Sequence, residues 1–226
     1  SHILMPGTKM LIFGGPKTFK SIIAQVTGFC LLTGMPWMGF PVNPVQKVAY
    51  FQFEIPKVPF RSRVLKTARY LGPNMVNAGS RYYMETDMTF KMDTIKSVEY
   101  LHNVCKTIQP QVLILDPWYK MLSVEENRVY GTTQDIMDEL IQTYGVSIIL
   151  IHHDTVPQFD PQGNEIRTFH PRGPRTLEGW FDTMVKVEGD IASDDRTLYF
   201  ETRHSETLIQ PVRVRLDRNT LWFTVQ

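Results

Sequence analysis

Residues 9–21 combine a short apolar run, a glycine-containing turn and the beginning of a helix. Their sequence is Lys-Met-Leu-Ile-Phe-Gly-Gly-Pro-Lys-Thr-Phe-Lys-Ser, and the amphipathic segment Ile-Ile-Ala-Gln-Val-Thr-Gly follows. A strand that turns tightly into a helix is the context in which the phosphate-binding motif G-x-x-x-x-G-K-[ST] is meaningful, because loop amides and the helix N-terminus then face a phosphate group. The pattern predicts a phosphate-binding loop made of Gly14, Gly15, Pro16, Lys17, Thr18, Phe19, Lys20 and Ser21.

One position departs from that motif. Phe19 occupies the place of the second glycine, which normally lets the backbone approach the phosphates with no Cβ in the way. We therefore expect Phe19 either to point out of the loop or to weaken nucleotide binding. The alternative interpretation is a glycine-rich turn with an incidental lysine, and the loop alone does not decide between the two.

Composition indicates an ordinary soluble globular chain. The 226 residues are 42% hydrophobic and 21% charged, with a net charge of +1, so no global field would attract nucleic acid. Cys30 and Cys105 lack metal-like spacing and are expected to be buried thiols in a reducing cytoplasm. We find no apolar run long enough to span a membrane and no signal peptide, and we expect a cytoplasmic protein of a bacterium or a phage-infected cell. Because Ser1 and His2 resemble a tag remnant, we expect residues 1–9 to be a tag remnant or extension and residues 10–226 to form one domain.

Alternating helical and apolar patterns predict an α/β fold. Runs of apolar residues that end in a polar one are typical of parallel strands buried on both faces, whereas the last third of the chain is rich in strands. This order implies a mainly parallel sheet flanked by helices, with an antiparallel extension at the C-terminal end. The predicted strands are 47–53, 81–84, 112–116, 146–151, 184–188, 197–202, 212–216 and 222–225, and the predicted helices are 59–71, 92–108 and 132–144.

Polar residues follow several of these strands, at the edge where ligands of open α/β sheets bind. Asp116 resembles a carboxylate that holds the Mg²⁺ of a nucleotide site together with Ser21, and Glu54 is a candidate general base. His152 and His153 could be zinc ligands, but neither cysteine is well placed to complete such a site. A polar sensor of the γ-phosphate, assigned to His152, fits better, although one of the pair could simply be a core histidine.

The order and spacing of these motifs resemble the RecA-like ATPases, most closely the RepA-type hexameric replicative helicases of plasmids and phages. The similarity covers nearly the whole chain from Met10 onward, and it includes Arg172-Gly173 before an Asp-containing strand and Leu-Tyr-Phe-Glu-Thr before Arg203. It implies ATP and Mg²⁺ as ligands, a homo-oligomer in the form of a hexameric ring, and Arg203 as an arginine finger supplied to a neighbouring subunit. Glu201 departs from the family, in which a lysine often stands there.

The resemblance also implies that single-stranded DNA binds loops within residues 118–131 and 155–175. The second segment contains Arg167, His170, Arg172 and Arg175, interleaved with phenylalanines, and cations with aromatic rings are what single-strand binding requires. A solvated loop is the alternative. The expected function is a DNA helicase driven by ATP hydrolysis; the rivals are a recombinase-like or regulatory ATPase that does not unwind, and a nucleotide-gated DNA-binding protein in which Phe19 slows hydrolysis.

Overall fold

A mainly parallel β-sheet runs through the centre of the molecule. The computed structural model describes residues 3–76, 78–155, 158–159, 162, 165–166, 169–174 and 177–226. Within these residues the strands are β1 Lys9–Gly14, β2 Val48–Gln52, β3 Tyr82–Thr86, β4 Val112–Asp116, β5 Ser147–His153, β6 Gln158–Phe159, β7 Glu165–Ile166, β8 Thr183–Glu188, β9 Asp195–Thr202, β10 Val212–Asp217 and β11 Trp222–Val225.

Nine of these strands form the sheet, in the order β11-β10-β9-β8-β1-β5-β4-β2-β3. The six strands from β8 to β3 are parallel, and β9, β10 and β11 extend the sheet by antiparallel pairing. The predicted fold class is therefore confirmed. Strands β6 and β7 form a separate small hairpin within the segment predicted to be a polar loop.

Helices cover both faces of the sheet. They are α1 Lys20–Thr33, α2 Lys57–Leu71, α3 Pro73–Val76, α4 Ile95–Ile108 and α5 Asn127–Tyr144, with 3₁₀ helices at Gly79–Arg81 and Trp118–Met121. Helix α5 begins five residues earlier than predicted, and α4 begins three residues later. The segment 118–131, predicted to contain a loop, thus consists largely of a 3₁₀ helix and the first turn of α5.

Side chains of the central strands alternate between two apolar layers. In β1, Met10 and Ile12 pack with α1 and α2, whereas Leu11 and Phe13 pack with α4 and α5. Burial on both faces explains why this strand is an uninterrupted apolar run. Cys30 and Cys105 are free and buried, one in each layer.

The segment before β1 is also folded against the sheet. Ile3 and Leu4 pack on the layer that contains α1, and the Ser147 hydroxyl donates to the Met5 carbonyl at 2.9 Å. The backbone N–H of Gly7 donates to the same hydroxyl oxygen at 3.0 Å. Within the described residues, no helix is both long enough and apolar enough to cross a membrane.

Candidate nucleotide site

The carboxyl ends of β1, β2, β4 and β5 meet at one edge of the sheet. The strand register places Gly14 beside His153, and Gln52 beside Asp116. Glu54 follows β2 by two residues. A cleft of about 800 Å³ opens at this edge; its lining includes Gly15, Pro16, Thr18, Tyr119, His153, Asp154, Arg172, Lys186 and Glu188. The structure therefore brings the loop, both carboxylates and His153 to the same edge of the sheet.

The loop after β1 requires glycine at its first position because neighbouring backbone lies too close for a side chain. A Cβ on Gly14 would lie 2.3 Å from the carbonyl oxygen of Val187 in β8. The Thr18 hydroxyl closes the loop by donating to the Gly15 carbonyl at 2.8 Å. Helix α1 then begins at Lys20, so its free N-terminal amides lie next to the loop, as binding of an anion requires.

Lys20 is almost fully buried beneath the loop. Its Nζ donates to the Gly15 carbonyl at 2.6 Å and lies 3.4 Å from the Thr18 hydroxyl. Burial lowers the pKa of Lys20 to about 8, and the nearby carboxylates of Asp116, Glu54 and Asp154 oppose that decrease. The ammonium is thus held in the loop with few hydrogen-bond partners, where a phosphate would be a strong acceptor.

Asp116 is completely buried at the end of β4. Its carboxylate accepts hydrogen bonds from Ser21 Oγ at 3.0 Å, Gln52 Nε2 at 3.0 Å and the Tyr50 hydroxyl at 2.5 Å. Burial raises the pKa of Asp116, whereas the hydrogen bonds from Tyr50 and Ser21 lower it. The hydroxyl and the carboxylate assigned to Mg²⁺ are therefore in direct contact. Two adjacent oxygen donors beside a phosphate loop fit a hard divalent cation.

Glu54 is exposed at the carboxyl edge of the sheet, and its carboxylate contacts Tyr119 from the 3₁₀ helix that follows β4. The Tyr119 hydroxyl donates to Glu54 Oε1 at 3.0 Å, and the Tyr119 ring lies 4.9 Å from the His153 ring. Burial, followed by the Glu54 charge, raises the pKa of Tyr119 to about 12, so the phenol keeps its proton. Tyr119 is a site residue that the sequence analysis missed.

The two histidines at the end of β5 have different environments because successive strand residues point to opposite faces. His152 is fully buried, packs on Trp118 and Tyr130, and its Nε2 lies 2.8 Å from the Arg172 carbonyl oxygen. Burial lowers the pKa of His152 to about 3, so it is neutral. The sequence analysis assigned the sensor position to His152, but the structure places His153 in the cleft. No group of three His, Cys, Asp or Glu side chains within the described chain is arranged to bind a metal.

The Phe19 side chain lies outside the lining of the cleft. Its ring packs on the apolar layer around α1, and the Arg196 guanidinium carbon lies 4.1 Å from the ring centroid. Its backbone is left-handed, with φ +67° and ψ +17°. The sequence analysis expected Phe19 either to point out of the loop or to weaken nucleotide binding, and in the structure its ring points out of the loop. Arg196 is another residue that the sequence analysis missed.

A charged cluster on β8 adds to the cleft. Lys186 Nζ lies 2.9 Å from Glu188 Oε1 and 3.3 Å from Asp154 Oδ2. The sequence does contain a signal for this cluster. Lys186 interrupts the apolar centre of the strand sequence Thr-Met-Val-Lys-Val-Glu.

Arg203 lies at the opposite edge of the sheet. Thr202 pairs with Thr183, the first residue of β8, whereas Val187 of β8 pairs with Gly14, so about 13 Å of strand separates the two edges. The Arg203 guanidinium donates to the Gly179 carbonyl. Within one chain, Arg203 therefore does not reach the loop; a role in a neighbouring subunit's site stays a prediction.

The cations assigned to DNA are only partly described. Arg167 and Arg175 lie outside the described residues. Arg172 lines the cleft and its Nε lies 3.0 Å from Glu125 Oε2, while His170 contacts the Glu178 carboxylate. The described members of this set are thus already paired with carboxylates.

A comparison with protein-family models matches residues 2–158 to a family described as an AAA domain. The chain belongs to this AAA-domain family. Two solved structures have a similar fold: the RadB recombinase (17% identity, TM-score 0.64, 95% of this chain and 90% of that one) and a KaiC-like protein from the hyperthermophilic archaeon Pyrococcus horikoshii (15% identity, TM-score 0.62, 98% and 90%). At these identities the similarity shows the fold alone. No curated protein matches the sequence. The predicted RecA-like fold is thus confirmed and membership of the AAA-domain family is shown, whereas the nearer likeness to RepA-type helicases stays a prediction.

Proposed function

We propose that this protein is an ATP-hydrolysing motor of the RecA-like class that assembles into a ring and acts on single-stranded DNA as a helicase. The observation that carries the proposal is the contact between Ser21 and Asp116 beneath the Lys20 loop, with Glu54 at the end of the neighbouring strand. Phosphate binding, metal binding and base catalysis then meet at one edge of the sheet.

Each residue has a distinct role in this proposal. The loop amides and the Lys20 ammonium bind the β- and γ-phosphates, and Glu54 orients and deprotonates the attacking water. Ser21 and Asp116 would hold Mg²⁺, which when bound neutralises charge that develops on the phosphates. His153, which lines the cleft next to the loop, is better placed than His152 to sense the γ-phosphate.

Completion of the site requires a second subunit. Charge on the transferred phosphoryl group is commonly stabilised by an arginine supplied in trans. We assign that role to Arg203, because its place at the far edge of the sheet leaves it outside its own site. Ring assembly, and its hexameric form, belong to the proposal.

The DNA contact is proposed at the cleft side that contains Arg172. A DNA phosphate could replace Glu125 as the partner of the Arg172 guanidinium, because both are anions that accept from its planar N–H groups. Since Arg172 and Tyr119 line the same cleft as the loop, DNA bound there would lie close to the catalytic carboxylate.

A second candidate is a recombinase-like ATPase that binds DNA without unwinding it. The fold similarity to the RadB recombinase favours this alternative as much as it favours a helicase. The third possibility, a nucleotide-gated binding protein with slow hydrolysis, depended on Phe19 crowding the phosphates, and the orientation of its ring gives no support for that.

Three assays on the same preparation separate these candidates. Steady-state ATP hydrolysis with and without a thymidine homopolymer tests the motor, and strand separation of a forked duplex tests unwinding; Lys20→Ala is the inactive control in both. A helicase hydrolyses ATP faster with DNA and separates the fork, whereas a recombinase-like enzyme hydrolyses without separation. Mass measurement with and without a non-hydrolysable ATP analogue reports the assembly. Hydrolysis that Lys20→Ala does not reduce would contradict the proposal.

A further inference from the structure

Two residues of the nucleotide loop have a backbone conformation that side chains disfavour. Lys17 has φ +60° and Phe19 has φ +67°, both in the left-handed region that glycine adopts freely. Phe19 occupies the position where the motif has glycine, and it is also the residue that directly precedes α1. Its carbonyl accepts from the N–H groups of Ile22 and Ile23, both at 2.9 Å, so the first turn of the helix depends on this conformation.

One buried side chain contacts both of these residues. Arg196, 1% exposed, donates from Nη2 to the Lys17 carbonyl at 3.1 Å, and its guanidinium carbon lies 4.1 Å from the centroid of the Phe19 ring. The contact joins residues 179 positions apart in the sequence.

The turn between β8 and β9 holds Arg196 itself. Nη1 donates to the carbonyls of Asp190, Ser193 and Asp195 at 3.0, 2.8 and 2.5 Å. The turn closes tightly around the side chain: a Cβ on Gly189 would lie 2.6 Å from the Asp195 carbonyl oxygen and 2.8 Å from Arg196 Cδ. The guanidinium therefore has a fixed position from which it can fix the loop.

We propose that Arg196 is a positioning residue for nucleotide binding: its stack on Phe19 and its bond to Lys17 hold the loop in the shape that a glycine at position 19 would adopt unaided. The inference rests on the proposed function of the loop in ATP binding. It explains how a phenylalanine can replace the motif's glycine, because the cation–π contact between Arg196 and the Phe19 ring stabilises the left-handed backbone at that position. It also makes the β8–β9 turn, which lines the cleft at Gly189 and Asp190, part of the binding apparatus.

The test is a double-substitution cycle read out by the affinity for a fluorescent, non-hydrolysable ATP analogue. Arg196→Ala should weaken binding about tenfold, because the loop must then be ordered at the moment of binding. Phe19→Gly should bind within a few-fold of the unsubstituted protein. Combining the two should restore part of the affinity lost in Arg196→Ala, since glycine holds the left-handed conformation at position 19 without help, whereas the bond to Lys17 stays lost. If Arg196 only stabilises the fold, Phe19→Gly should not restore affinity. The double variant would then bind the analogue as weakly as Arg196→Ala or more weakly.

Arg218→Ala is the matched control. Its guanidinium also faces the Phe19 ring, at 6.0 Å, but it pairs with Asp194 and is largely exposed. This variant removes the same charge nearby and should leave affinity within a few-fold. If Arg196→Ala does not fold, Arg196→Lys takes its place, because an ammonium cannot bond to Lys17 and to the turn carbonyls while stacking on the ring.

Amide hydrogen exchange of the nucleotide-free protein separates failure of this inference from failure of the proposed function. Exchange in residues 14–22 should accelerate in Arg196→Ala and not in Arg218→Ala, with β4 and β5 unchanged in both. If the unsubstituted protein binds no nucleotide, the proposed function fails and exchange still tests the positioning of the loop. Unchanged exchange and unchanged affinity in Arg196→Ala would overturn the inference.

Discussion

Raising the pH above 8 should weaken ATP binding, because Lys20 then loses the proton that its contact with a phosphate requires. Burial lowers the pKa of Lys20 to about 8. If only the ammonium form binds the phosphates, the apparent dissociation constant should double near pH 8 and be about tenfold higher near pH 9. Phosphate groups themselves titrate near pH 6, below this range.

The same titration has the opposite effect on folding. Lys20 releases its proton near pH 8 in the folded chain and near 10.5, the ordinary value, in the unfolded chain. Between those values the unfolded state binds more protons, so the stability of the nucleotide-free protein should rise with pH, by at most about 3 kcal/mol. Weaker ligand binding should thus accompany a more stable apo fold.

Titration with a fluorescent ATP analogue and Mg²⁺, repeated from about pH 7 to about pH 9, measures the binding side of this prediction. Lys20→Arg is the control, since a guanidinium keeps its proton throughout this range. That variant should bind less tightly but with little pH dependence. A flat profile for the unsubstituted protein, or a parallel loss of affinity in Lys20→Arg, would refute the assignment of the titration to Lys20.

Three further substitutions test other parts of the site. Asp116→Asn should weaken Mg²⁺-dependent nucleotide binding about 10- to 100-fold while the fold persists, as calorimetry with and without Mg²⁺ would show; equal binding would exclude Asp116 from the metal site. Gly14→Ala should lower the free energy of unfolding by about 3 kcal/mol in denaturant titrations, because its Cβ meets the Val187 carbonyl, whereas Gly15→Ala, whose Cβ would lie 3.8 Å from Thr18, should cost little. Arg203→Ala should bind ATP but hydrolyse it about 10³-fold more slowly or worse, and mixing it with Lys20→Ala subunits should restore part of the activity; co-assembled but inactive mixtures would remove Arg203 from the site.

Much of the fold follows from patterns that are local in the sequence. The apolar runs of β1, β4 and β5 are buried on both faces, so they could be recognised as parallel strands, and the rule that ligands bind at the carboxyl edge placed Gly14 and Asp116 together. The first residues of the helices were harder to predict. Helix α5 begins after Glu126, whose side chain makes no capping bond, so nothing in the sequence marked that start; Thr94, which does cap α4 through the N–H of Ser97, was an available signal that the sequence analysis did not use.

The remaining site residues depend on contacts between distant parts of the chain. Successive side chains of a strand point to opposite faces, so only one of His152 and His153 can face the cleft. Because the two residues are identical and adjacent, the sequence does not show which one it is. Tyr119 reaches Glu54 only because the chain turns into a 3₁₀ helix directly after β4. Arg196 meets Phe19 through an antiparallel turn near the other end of the chain, and no spacing rule connects the two.

ATP binding and turnover, measured side by side in three proteins, test the central claim most directly. The unsubstituted protein should bind Mg²⁺-ATP and hydrolyse it. Lys20→Ala should do neither, and Glu54→Gln should bind with near-normal affinity but hydrolyse about 10²- to 10⁴-fold more slowly, because its amide keeps the shape of the carboxylate and loses the base. Unchanged binding by Lys20→Ala, or undiminished turnover by Glu54→Gln, would contradict an ATPase site built on this loop and this carboxylate.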